Sequence, residues 1–240
     1  MELGDRPLRT LDFSTYRGVC PQNSVPKILK RSMVMKSVIG CAWVLCSLSL
    51  FGWTSVSELE SEAANALSTP ANLCQQGFSN NLSCAILSTN KLMRIDAELL
   101  RSIVAYQRFL NTADGRLLDD QRQSISNAVD LTCGATNSWQ YWVGRFLLIS
   151  TYAADNDFGT AYLMSTNHVR MLQDCGGLQG TNILCNAILS YYEMPNVNID
   201  VAFKVFAGMS SAGQGMGAEA TNYANQVAAP YNGMILDFLR

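Results

Sequence analysis

Apolar residues three or four apart recur in one segment after another, and this period narrows the possible folds more than any other feature. Over Lys91–Asn111, the residues Leu92, Ile95, Leu99, Ile103, Tyr106 and Leu110 fall on one helical face, leaving Arg94, Glu98, Arg101 and Arg108 for the other. Asp114-Gly115 breaks that pattern, and a second helix is predicted over Leu117–Thr132, closing at Gly134. Ser138 is placed to cap Trp139–Ala154, in which Trp142, Phe146, Ile149 and Ala153 align. After the turn Asp155-Asn156-Asp157, Thr160–Asp174 is predicted helical, ending at Gly176-Gly177. Thr181 or Asn182 caps Ile183–Met194, which Pro195-Asn196 ends, and Ile199–Gly208 forms a shorter helix. Ser210–Gly217 is rich in Gly and Ser and is expected to be a mobile loop. Ala218–Arg240 reads as a last helix, bent or interrupted at Pro230.

No pair of alternating apolar runs flanks a turn, so the expected class is all-α, with antiparallel helix hairpins. Leu148–Tyr162 resembles Leu189–Phe203, a period of about 40 residues that lies in the range of helical-repeat arrays. Two amphipathic hairpins also resemble each other by chance, which leaves a bundle or a short array.

The amino-terminal part is different. Residues 1–36 hold seven of the 17 Lys/Arg against three acids, whereas residues 67–240 hold 10 basic and 13 acidic residues. The uncharged segment Ser37–Trp53 follows Lys27, Lys30, Arg31 and Lys36. Cations ahead of an apolar run are the pattern of a signal peptide, because the charges stay on the cytoplasmic side while the apolar helix enters the bilayer. Ala64-Asn65-Ala66 supplies small residues for cleavage, although Glu58, Glu60 and Glu62 make that region long and acidic. An uncleaved anchor is the alternative, an uncharged run of 17 residues being at the short end of a span. The expected organisation is a basic extension over 1–36, a signal peptide or anchor with its cleavage region over 37–66, and one helical domain over 67–240. Export to the periplasm or outside the cell follows, with membrane contact only through residues 37–53 if these are retained.

Outside the cytoplasm, cysteines default to disulfides. Cys74 and Cys84 are ten apart, as are Cys175 and Cys185, and each pair is expected to pin a loop to the first turn of a helix. Cys133 is then the odd one, either a further disulfide partner or a thiol activated by His168, the only histidine.

No catalytic, cofactor or metal constellation stands out. Cys-x-x-Cys and His-x₃-His spacings are absent, as is Gly-x-Ser-x-Gly. Gly213-Gln-Gly215-Met-Gly217 has the wrong spacing and no lysine for a nucleotide loop. A net charge of −2 with no basic patch argues against a nucleic-acid partner. Past residue 66 the only glutamates are Glu98, Glu193 and Glu219, the candidates if the protein is a cell-wall hydrolase working with a Glu/Asp pair. Aromatics gather on two hairpins. Trp139, Tyr141, Trp142, Tyr191 and Tyr192 are either core or the contact surface for a protein or other envelope macromolecule.

From Cys74 to Cys133 the order of features resembles the secreted bacterial domains of the lysozyme-inhibitor type. The matching residues are Cys74, Cys84-Ala85, Leu92 with Asp96 and Leu99, and Gln123 ahead of Cys133. Ser126 and Val129 or Asp130 stand where those domains carry Trp and Arg, so no binding residues are carried over. The resemblance implies a secreted helical inhibitor. Three function classes remain: an exported, non-catalytic binder of inhibitor, immunity or scaffold type; a cell-wall hydrolase; and a membrane-anchored subunit of a larger complex.

Overall fold

A computed structural model describes residues 52–174 and 182–239. The basic extension, residues 37–51 of the apolar segment, Cys175 and Gly176-Gly177 lie outside the described residues. The described residues fold into ten α-helices and one 3₁₀ segment, with no strand among them. The helices are α1 (Val56–Leu67), α2 (Gln76–Ile86), α3 (Lys91–Thr112), α4 (Arg116–Leu131), α5 (Trp139–Ala154), α6 (Phe158–Asp174), α7 (Ile183–Tyr191), α8 (Ile199–Gly213), α9 (Gly217–Gln226) and α10 (Tyr231–Asp237), with the 3₁₀ segment Pro70–Cys74 between α1 and α2. No helix among the described residues is long and apolar enough to cross a membrane.

Several boundaries follow from local chemistry. Ser138 Oγ accepts from Tyr141 N–H and starts α5, while Asn182 Oδ1 accepts from Leu184 and Cys185 N–H and starts α7. Asn90 does the same for α3, which ends on Ala113 in the left-handed region (φ 56°), just before Asp114-Gly115.

The centre of the fold is α3, which packs against α1, α2, α4 and α5. That position overrides the two-faced pattern expected of it. Ile95, Leu99 and Ile103 are buried as expected, but so are Asp96 and Glu98, while Leu92 and Leu110 are exposed. A helix covered on several sides buries most of its circumference except at its ends. A second seam joins α5, α6 and α8. There Trp142, Phe146 and Phe203 are fully buried and meet edge to face, with Phe146 to Phe206 at 5.2 Å and 87°.

The segment Ser210–Gly217 is not the expected mobile loop. Its first four residues complete α8, and Ser210, Ser211 and Ala212 are buried. Small side chains here serve close packing. A Cβ on Gly208 would lie 2.6–2.9 Å from three atoms of Ile235, and one on Gly213 would lie 2.7–2.9 Å from the Phe158 ring. Gly208→Ala is therefore expected to lower stability by about 1–3 kcal/mol through overpacking, measured by urea denaturation. An unchanged or raised midpoint would contradict this packing.

Of the two architectures left open, the packing does not form a repeat array. α5 and α6 pack together, but α7 packs chiefly on α1, and α8 packs on α6 and α9. The two similar sequences thus occupy unlike places, since α7 and α8 are not a hairpin equivalent to α5 and α6.

The helical body begins earlier than residue 67. Leu59 and Ala63 of α1 are fully buried and Ala66 and Leu67 nearly so. Trp53 packs edge-on against Phe78 and donates from Nε1 to Glu62 at 2.6 Å. A cut after Ala66 would remove this helix from the core.

Neither ten-residue disulfide forms, because Cys74, Cys84 and Cys185 are thiols. Cys84 lies on α2, and eight residues of helix from Gln76 carry it about 12 Å along the axis. A bridge needs Cα atoms within roughly 7 Å. Cys185 is buried in the first turn of α7, and burial pushes its thiol up to about 12, which makes it unreactive at neutral pH. Cys133 is disulfide-bonded rather than the odd thiol, and a bridged sulfur cannot be a nucleophile.

Candidate functional site

Two adjacent clefts share one wall. Tyr106, where α3 leaves the core, stacks on Tyr192 just past α7, with ring centroids 6.4 Å apart and planes 15° from parallel. On one side the last turns of α1, the 3₁₀ segment, α3 and α7 bound an open groove of about 770 Å³. On the other side α3, α4, α5, α8, the first residue of α6 and Phe238, just past α10, bound a second cleft of about 480 Å³.

The groove is lined by Tyr106, Gln107, Leu110, Tyr191, Tyr192 and Glu193, with Ala64 and Leu67 of α1 opposite. Tyr191 donates to Gln107 Oε1 at 2.8 Å, which ties α7 to α3 across the floor. Burial raises the Tyr191 phenol to about 12, with the Tyr106 and Cys74 groups adding to it, so the hydroxyl stays a neutral donor. Burial drives Tyr192 further in the same direction. Ser150 is the hydroxyl beside it, but Tyr192 Oη is left without a hydrogen bond of proper geometry. Glu193 is exposed on the lip and holds a left-handed backbone (φ 62°), which ends α7 and turns the chain away. Among the described residues it is the one charged side chain lining this groove.

The five aromatic candidates separate into two groups. Trp142 is fully buried, donating from Nε1 to Thr136 O at 2.8 Å, and Tyr141 is 7% exposed beneath the Arg145 guanidinium. Trp139 is half-buried against the core. These three belong to the packing of α5. Tyr191 and Tyr192 instead line the groove. Tyr106 and Leu110, assigned above to the apolar face of α3, join them, and Leu110 is 56% exposed. Its exposure is the sign of a rim, and it has no signature in the periodicity.

The remaining candidates lie apart from one another. Glu98 is buried and accepts from Asn127 Nδ2 at 3.1 Å. Glu219 accepts from Tyr162 at 3.4 Å. Glu193 is on the lip of the groove. His168 stacks on Phe203 at 5.2 Å and bonds through Nδ1 to Met164 O, and burial lowers its pKa. It is a neutral core histidine. Among the described residues no three His, Cys, Asp or Glu side chains are grouped to hold a metal ion. No protein-family model matches this chain, and no curated protein or solved structure matches it either.

Proposed function

We propose that this protein is an exported, non-catalytic binding protein, and that the tyrosine-lined groove between α1, α3 and α7 receives a segment of a partner protein. The observation that carries this reading is the groove's composition. Three tyrosines and a half-exposed leucine surround an open channel whose sole charge among the described residues is Glu193. Tyrosines offer large contact area with few rotatable bonds and dominate interface energetics. The lone carboxylate suits a partner segment that presents an apolar side chain beside a Lys or Arg. The resemblance over residues 74–133, which here span α2, α3 and α4, makes a wall-cleaving enzyme the first partner class to try.

The export half rests on the cationic stretch ahead of the uncharged run. Because α1 forms one wall of the groove, this reading requires a retained anchor or a cut upstream of Trp53. Amino-terminal sequencing of the native protein tests it, and a mature chain starting at Leu67 would overturn it.

The binding half is tested with a photo-crosslinking amino acid at Leu110, on the groove rim, and in a separate variant at Leu163, which is 40% exposed on α6. One discrete adduct from position 110, absent from position 163, is expected in cells. Tyr191→Ala should weaken that capture about thirtyfold, the loss of one interface anchor of about 2 kcal/mol. Equal adducts at both positions, or none at 110, would remove the proposal.

A further inference from the structure

The second cleft has the features of a small-molecule site rather than of a protein-docking groove. Its volume of about 480 Å³ falls within the range of ligand pockets. Its walls are aromatic, with Phe109, Phe158, Phe206 and Phe238 standing beside the shared pair Tyr106 and Tyr192. Charge is cancelled at the rim, where Arg122 is paired with Asp155 and also approaches Asp119 at 3.6 Å.

One polar side chain of this lining offers a donor and an acceptor together. Gln121 of α4 is 4% exposed and is the one amide side chain among the described residues that line the cleft. Ser210 Oγ and Tyr192 Oη, on residues of the same lining, are buried without a partner. Buried polar groups are nearly always satisfied, and an amide offers a donor and an acceptor side by side.

We infer that this cleft binds an uncharged, flat, ring-containing small molecule whose own donor–acceptor edge pairs with the Gln121 amide. The aromatic walls receive the rings. The closed Arg122–Asp155 pair provides no free counter-charge, so an ionised analogue is disfavoured. This site is separate from the groove of the proposed function, and naphthamide titration and crosslinking at Leu110 report on different clefts, so either reading can fail without the other.

The probe is 2-naphthamide, titrated into the full-length protein and followed by calorimetry, with 2-naphthoate and 2-methylnaphthalene as comparators. Saturable one-to-one binding of the amide is expected, with the carboxylate at least about tenfold weaker, a difference typical of one mismatched buried polar contact. Gln121→Met keeps the side-chain length and removes the amide. It should weaken 2-naphthamide about tenfold while leaving 2-methylnaphthalene binding unchanged or tighter. Ala154→Trp, at an exposed rim position, should block all three without disturbing the core. Absence of saturation by 2-naphthamide would overturn the inference. So would affinity that is the same in wild type, Gln121→Met and Ala154→Trp.

Discussion

Replacing Asp96 by Asn is expected to stabilise the protein at pH 8 by up to about 4 kcal/mol and to change it little at pH 4. Asp96 is 0% exposed in the second turn of α3. Its Oδ1 accepts from Gln140 Nε2 at 3.1 Å, and its Oδ2 has no partner. Burial is the main cause that raises this carboxyl from 3.8 to about 7; Gln140 opposes the shift and the charge of Glu60 adds to it. The folded protein therefore holds this proton more tightly than the unfolded chain does. Its contribution to stability is complete below pH 3.8 and is lost as pH rises towards 7, where the folded carboxyl must ionise with only the Gln140 hydrogen bond to offset its burial. The interval between the two values corresponds to about 4 kcal/mol, an upper limit because the fold can relax and admit water.

Asn has the same shape, carries no charge, and keeps an oxygen for Gln140. His168 acts in the opposite direction. Its lowered pKa means that it withdraws stability as pH falls below 6.5. Comparing Asp96→Asn with wild type cancels that shared term. Urea denaturation at pH 4, 6 and 8 checks the prediction, and a variant that differs from wild type equally at every pH would refute it.

Truncating Trp142 to Ala is expected to cost about 3–5 kcal/mol, enough to unfold a large share of molecules in a domain of ordinary stability. Its ring is fully buried and meets Tyr141, His168 and Phe203 edge to face, at centroid distances of 5.0, 6.1 and 6.2 Å. Removal would leave a cavity at the junction of α5, α6 and α8, and would strand the Thr136 carbonyl that Nε1 now satisfies. Trp142→Phe separates the two losses, because it keeps much of the ring and deletes only the donor. It should cost clearly less than the alanine variant. A partner-contacting Trp would behave otherwise, with its loss weakening binding while the melting temperature held. Thermal unfolding of both variants distinguishes the cases, and a loss below about 1 kcal/mol for Trp142→Ala would return this residue to the interface.

The capped starts of α5 and α7 were legible in the sequence because caps are local. Ser138 and Asn182 each bond to backbone two or three residues away, and no distant contact is needed to place them. The break at Asp114-Gly115 and the all-helical class follow from the same short-range chemistry. The site was less legible. Tyr191 and Tyr192 were among five equivalent aromatic candidates, and nothing along the chain separated them from Trp142. Gln121 carried no signal at all, since its place in the lining of a cleft depends on residues far from it in the chain.

What the chain determined unaided was the order of helices from Lys91 onward, through capping, turn residues and a period set by hydrogen bonds four residues apart; α1, in the region expected to be cleaved, and α2 were not read from it. Tertiary packing decided the rest. It placed α7 against α1 rather than beside α8, enclosed Asp96 and Glu98, and turned a stretch of Gly and Ser into a close contact with Phe158 and Ile235. It also set Tyr106 across from Tyr192 to divide one surface into two clefts. Burial and cleft shape depend on contacts between residues dozens of positions apart, and a helical period contains no term for them.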